Sequence, residues 1–351
     1  MYTHQKIKES IVAPDPRLAM KAQAKLDNLT KPKGSLGRLE LIAKQIVGIT
    51  GDLSPDLRNK YIITMAADHG VVDEGVSAYP KQVTAQMVYN FISGGAAINV
   101  LAKHIGAKVQ VIDMGVDHDF KGLDSFADKK IGYGTANMAK GPAMTEEQAL
   151  ESINIGIDTV KSLAAKGCDI IGTGDMGIGN TTASSAIAAV LCDSDPRMVT
   201  GRGTGVDGDG LEKKLTVIKK AIEVNNPDRG DGLDVLAKVG GFEIGGIAGL
   251  ILGAALARIP VVIDGFISGA GALIAQCMAP QCTDYILPSH SSVEIGHAIM
   301  LEKLDLEPMF DFDMRLGEGT GAALGIGIAE AAVKILNEMA TFDSAGVSKK
   351  S

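Results

Sequence analysis

The sequence predicts an α/β protein, a mostly parallel sheet with helices on both faces. Short β-branched runs alternate with longer segments of helical periodicity. Each run ends in a polar or glycine-rich cluster. Of 351 residues, 46% are hydrophobic, 22% are charged and 43 are glycine, a composition suited to a large core closed by tight turns.

Before the first strand, Pro16–Leu29 and Leu36–Ile49 read as two helices joined by "TKPKGSLG". Buried strands follow at "YIITMAA" (Tyr61–Ala67), "KVQVIDMG" (Lys108–Gly115), "DIIGTG" (Asp169–Gly174), "PVVIDG" (Pro260–Gly265) and "DYILPSH" (Asp284–His290). Helices are expected between them at Val83–Lys103, Glu146–Lys166, Thr181–Cys192, Leu211–Glu223, Phe242–Leu256, Ser268–Met278 and Val293–Leu301, with a last one over Thr320–Met339. The terminal helices have no predicted strand of their own. They are expected to form a small helical subdomain from residues 1–54 and 316–351, packed on an α/β core of residues 55–315.

Lys plus Arg is 34 and Asp plus Glu is 42, a net charge of −8 that speaks against nucleic-acid or anionic-membrane binding. The apolar stretch Ile244–Ala275 is interrupted by Arg258, Pro260 and Asp264, so no membrane span is expected. The first ten residues lack a signal-peptide pattern. Cys168, Cys192, Cys277 and Cys282 form no CxxC pair and read as reduced thiols. A cytoplasmic protein is the expectation.

The strand ends carry the chemistry. Asp68-His69-Gly70, Asp113, "GTGDMGIGN", Asp264-Gly265 and Ser289-His290 fall at the carboxyl ends of successive strands, where parallel sheets bind ligands. "GTGDMGIGNTT" (Gly172–Thr182) and "GRGTG" (Gly201–Gly205) can bring bare N–H groups to a phosphate, or simply turn the chain; spacing leaves both open. Neither is a Walker A loop, and the first strand leads into "ADHGVVDEG" rather than GxGxxG, which disfavours a dinucleotide-dependent oxidoreductase. His290 and His297 lie seven apart, but no HExxH or cysteine pairing accompanies them, and no metal site is expected. His69 is read as part of a turn network. Ser77, Tyr79, Gln86 and Met87 could line a pocket for a flat ring, though ordinary helix entry is the better reading of those residues alone. Glu318 stands between two glycines in "RLGEGTGAA"; at a helix start it is either a favourable charge or a base on a bare backbone.

In one order the chain carries "KPKGSLGRLE", "ADHGV", "TAQMV" with "GGAAINVLA", "GDMGIGNTT", "GRGTG", "GGFEIGG", "IDGFIS", "SHSSVEIGH" and "RLGEGTGAA". From about Ile11 to Met339 this closely resembles the nicotinate-nucleotide–dimethylbenzimidazole phosphoribosyltransferase family, which activates the lower ligand of cobalamin. The resemblance implies a Rossmann-like core with a smaller helical domain, a homodimer, and no metal or other cofactor. It implies transfer of the phosphoribosyl group of nicotinate mononucleotide to 5,6-dimethylbenzimidazole, with inversion, giving nicotinate and α-ribazole 5′-phosphate. Glu318 matches the family's catalytic glutamate, and Asp175 stands at a second catalytic position where a glutamate is usual. Gly177, Gly203, Thr204, Gly205, Lys214 and Ser292 match the nucleotide and phosphate pocket; Ser77, Tyr79, Gln86, Met87, Met176 and Leu316 match the wall around the aromatic base. Ser291 and Ile295 replace a basic residue and a proline common in the family. Some relatives transfer the group to phenol or p-cresol as paired unlike subunits. A phenolic acceptor, with a heterodimer of paralogues, is therefore a second expectation, and a non-catalytic nucleotide-binding partner subunit a third.

Overall fold

The computed structural model describes residues 2–120, 126–203 and 205–348. Its sheet has six strands: β1 (Lys60–Ala67), β2 (Lys108–Gly115), β3 (Ala127–Asp128), β4 (Ile170–Met176), β5 (Val261–Ile263) and β6 (Ile286–Pro288). Every pairing is parallel and the spatial order is β3-β2-β1-β4-β5-β6. This is the doubly wound order, in which the chain reverses direction across the sheet between β1 and β4. The register sets Thr64 of β1 beside Gly174 of β4, and Met65 beside Asp175. The five expected strands are present; β3, at two residues, is too short to carry a periodic signal.

In chain order the helices begin with α1 (His4–Ser10), α2 (Pro16–Asp27), α3 (Arg38–Thr50), α4 (Gln82–Ile92), α5 (Ala97–His104), α6 (Glu146–Ala164), α7 (Asn180–Leu191) and α8 (Pro196–Val199). They continue with α9 (Gly208–Asn225), α10 (Gly232–Val239), α11 (Phe242–Ala257), α12 (Phe266–Met278), α13 (Gly296–Leu304), α14 (Thr320–Glu338) and α15 (Phe342–Ala345). Alternate strand residues face opposite cores. Ile62 and Ala66 pack with α2 to α5 and α14, whereas Ile63, Met65 and Ala67 pack with α1 and the set from α6 to α13. Helices α2, α3 and α14 gather on the first of these faces, where α3 packs on α14 and α14 lies on β4 and β5, whereas the N-terminal α1 packs on the other, against α11 and α12. Helix α11 is buried from Phe242 to Ala255 between α6, α12 and the sheet, and no described helix is long and apolar enough to cross a membrane.

Two local departures from the sequence reading matter. The single helix expected over Val83–Lys103 is two, because the chain leaves α4 at Ser93, turns through Gly94 at φ +78°, and starts again at Ala97. Asn99 caps the new start by accepting the Ala96 N–H at 3.1 Å. Helix α10, hidden behind turn-like "PDRGDG", is capped by Asp231, which accepts the N–H groups of Leu233 and Asp234.

Candidate active site

A cavity of about 400 Å³ opens at the carboxyl ends of β4 and β5. Its wall includes Asp175, Met176, Gly177, Gly203, Ser292, Leu316 and Tyr79, so seven of the residues singled out in the sequence come together. Asn180, Thr181, Phe266, His290, Glu294 and Arg315 complete much of the rest. All six sit inside quoted motifs, but nothing in the spacing of Thr181 or Arg315 marks them as wall residues.

Glu318 lies just behind this wall, after Leu316 and Gly317. Gly317, Glu318 and Gly319 have φ of +86°, +65° and +98°, three consecutive left-handed residues. For glutamate that conformation costs of order ~1–3 kcal/mol and must be held by its surroundings. The main chain is indeed clamped: the Glu318 N–H donates to the Asp175 carbonyl at 3.2 Å, and the Thr64 hydroxyl donates to the Glu318 carbonyl at 3.0 Å. The loop can sit this close to β4 only because residue 174 is glycine, since a Cβ there would lie 2.4 Å from the Glu318 carbonyl oxygen. Gly174→Ala is expected to cost ~1–3 kcal/mol in denaturant melts, the usual penalty of overpacking. The displaced loop should also lower turnover in the same preparation.

Glu318 is only 6% exposed, and its Oε2 accepts the Ile98 N–H at 3.3 Å, at the start of α5. Burial raises its proton affinity above that of an ordinary glutamate, and the Ile98 N–H partly offsets this. The break between α4 and α5 is what makes that N–H available. Asp175 accepts from the Asn180 side chain at 3.0 Å. Burial, then the neighbouring Asp264 and Glu243 carboxylates, hold Asp175 well above the usual carboxylate range, with Glu318 adding to the effect. Asp264 is likewise pushed up by burial, to about 7.

Arg315 is a cation on the wall, whereas Lys214, only 1% exposed on α9, is not part of the wall and lies behind Thr181 and Gly203. Its ammonium donates to the Thr181 hydroxyl at 2.9 Å and to the Gly201 carbonyl at 3.4 Å. Burial lowers it to about 8, against the opposing pull of Glu294. Gly203 lies beside it: a Cβ there would be 3.1 Å from the Lys214 Nζ. Ser292 donates its N–H to the ring Nδ1 of His297 at 2.9 Å. Gly205 is not part of the cavity wall, and Thr204 lies outside the described residues.

Ser77, Gln86 and Met87 are not brought to the cavity wall. The Ser77 hydroxyl accepts the Tyr79 N–H at 3.2 Å, Gln86 is exposed on α4, and Met87 is half-buried against the core on the α14 face. His69 belongs to a buried network, its Nε2 2.5 Å from Glu243 Oε1; burial works to lower its proton affinity, and the Glu243 carboxylate outweighs that. His290 lines the cavity, stacked on Phe310 with ring centroids 5.9 Å apart. Among the described residues no group of three or more His, Cys, Asp and Glu side chains is placed to hold a metal ion.

A family model described as phosphoribosyltransferase matches residues 11–347. The nicotinate-nucleotide–dimethylbenzimidazole phosphoribosyltransferase of Geobacter metallireducens is 58% identical over 335 residues, covering 95% of each chain. The protein of the same name from Roseiflexus sp. is 56% identical over 336 residues, covering 96% of this chain and 95% of that one. A crystal structure described as CobT from Thermus thermophilus superposes with a TM-score of 0.92 at 44% identity, covering 95% of this chain and 100% of that chain.

Proposed function

The chain belongs to the nicotinate-nucleotide–dimethylbenzimidazole phosphoribosyltransferase family, and on that premise we propose how its residues perform the transfer. The enzyme moves the 5-phosphoribosyl group of nicotinate mononucleotide to 5,6-dimethylbenzimidazole in cobalamin biosynthesis. The nicotinate nitrogen leaves the anomeric carbon with the bonding pair. A ring nitrogen of the acceptor forms the new bond from the opposite face, and the proton on its other nitrogen goes to Glu318.

The observation that carries the assignment is the Glu318 loop, a carboxylate kept in an uncommon backbone conformation, nearly dry, directly behind the cavity. Its raised proton affinity suits a general base near neutral pH. Asp175, facing the same space, adds buried acid character near an anomeric carbon that becomes cationic as the bond breaks. At the other end, Lys214 has no carboxylate in hydrogen-bond contact among the described residues, so a phosphate monoester supplies the missing countercharge, with the bare backbone of Gly203 beside it; Gly177, Thr204, Gly205 and Ser292 are assigned to the same phosphate on their match to the family's motifs. Tyr79, Met176 and Leu316 form the side against which the flat acceptor ring lies, and Ser77, Gln86 and Met87 approach it when the site is filled. For the last three, the support is the match to the family's motifs rather than their present position.

The acceptor is tested with the purified chain, nicotinate mononucleotide and a panel of dimethylbenzimidazole, adenine, phenol and p-cresol. Dimethylbenzimidazole is expected to give α-ribazole 5′-phosphate, with the phenols slower by about tenfold or more, since a site built around two ring nitrogens leaves polar groups unpaired with a phenol. Nucleotide binding without product from any base would overturn the catalytic reading in favour of a partner subunit. The Geobacter and Roseiflexus relatives carry dimethylbenzimidazole in their names, which favours the benzimidazole over the phenolic acceptor. A homodimer in the cytoplasm completes the proposal. The four unpaired thiols, two of them buried, suit a reducing compartment.

A further inference from the structure

We infer that Asp264 is a positioning residue for the transfer, holding through three backbone N–H groups the loop that presents Glu318. The inference rests on the reading of Glu318 as the base.

A helix start is normally capped by the side chain of its own N-cap residue, which accepts the N–H of the second or third helical residue. Helix α14 has Gly319 at that position, and glycine has nothing to cap with. A side chain is not an option there. Gly319 has φ +98°, and a Cβ would lie 2.6 Å from the Ile62 Cγ2. The missing acceptor comes from another strand. Asp264, immediately after β5 and fully buried, takes the N–H of Gly319 on Oδ2 at 2.9 Å, and those of Gly321 and Ala322 on Oδ1 at 2.7 and 3.2 Å. Asp264 is itself pinned from both sides: its N–H donates to the Thr173 hydroxyl of β4 at 3.2 Å, and its carbonyl accepts from the Ser289 hydroxyl after β6 at 3.0 Å. The cap thus fixes the residue after Glu318 to three strands at once. Glu318 keeps its left-handed backbone because its C-terminal side cannot move.

The same carboxylate sets charge around the reaction. Facing it are Asp175 at the end of β4, Glu318 itself, and His290 after β6, whose Nδ1 is 4.0 Å away, while Glu243 of α11 acts on the shared partner Asp175. An ionised Asp264 raises the proton affinity of Asp175 by repulsion, and Glu318 raises that of Asp264 in the same way.

Asp264→Asn keeps the shape and one acceptor oxygen, removes the charge, and sets an amide against a backbone N–H. Turnover is expected to fall about tenfold or more, because small misplacement of a reacting group is costly. The KM for nicotinate mononucleotide should stay within about twofold, since the phosphate end is untouched. Combined with Glu318→Gln, the second substitution should cause no additional loss, the mark of two residues acting as one unit.

Losses that multiply in the double variant, or a raised KM with unchanged turnover, would overturn the role given to Asp264. Near-normal turnover of Glu318→Gln alone would instead remove the base assignment beneath it. Should Asp264→Asn fail to fold, Thr173→Val loosens the same carboxylate more gently by removing the hydroxyl that accepts its N–H. Turnover lower by about threefold with KM unchanged is the expected result, from one lost buried hydrogen bond. Unchanged turnover would count against the inference.

Discussion

Glu318→Gln is expected to leave the fold and the nucleotide affinity intact and to lower turnover by ~10²–10⁴-fold, the range for a lost general base. Glutamine is isosteric, so the three left-handed residues and the main-chain clamp to Asp175 and Thr64 survive. Its amide can still offer an oxygen to the Ile98 N–H. What disappears is the capacity to take a proton. The pH dependence carries the sign. Burial raises the proton affinity of Glu318, so the wild-type rate falls as pH drops, on a limb lying above the usual carboxylate range. In Glu318→Gln that limb should be absent from the remaining activity. Single-turnover measurements with pre-bound nucleotide separate the chemical step from binding, and a rate close to wild type there would sink the assignment.

Lys214→Met should act at the other end of the substrate. The methionine fills much of the same buried volume, so stability should change little or rise, because a buried ammonium with no carboxylate in contact among the described residues is costly to keep. Loss of a charge-assisted bond to phosphate is expected to reduce kcat/KM by ~10²-fold, mostly through KM. In the wild-type enzyme, burial lowers this lysine to about 8. The protonated form binds the phosphate, so kcat/KM should decline as pH rises through that value, and Lys214→Met should lose the decline. Isothermal titration of nicotinate mononucleotide across the same pH range reads the binding half directly. A flat affinity profile would place the phosphate elsewhere.

Legibility followed how local each signal is. Strands β1 and β2 were readable to within a residue because their runs, rich in β-branched residues, are buried on both faces along most of β1 and from Val111 onward in β2. β3, with two residues, leaves no pattern to find. The break at Ser93–Ala96 was lost inside a continuous apolar periodicity, yet that break exposes the Ile98 N–H to Glu318. In the site, Glu318, Asp175 and the glycines stood out because they sit in unusual local sequence. Arg315, Glu294 and Phe266 join the wall for reasons of placement alone. Lys214 was legible as a lysine near a glycine loop, but its burial, and so its lowered proton affinity, was not.

By itself the sequence determined five of the six strands and most of the long helices, that the strand ends are polar, and which glycines leave the backbone bare, since periodicity and side-chain type act over a few residues. The tertiary structure alone decided that β1 lies beside β4, that Gly174 passes beneath the Glu318 carbonyl, and that Asp264 supplies the cap Gly319 lacks. Those contacts join residues 55 to 144 positions apart along the chain, between Gly319 and Asp264 and between Glu318 and Gly174. Strand order sets them, and with them the burial that tunes each carboxylate. No local pattern encodes a distance of that kind.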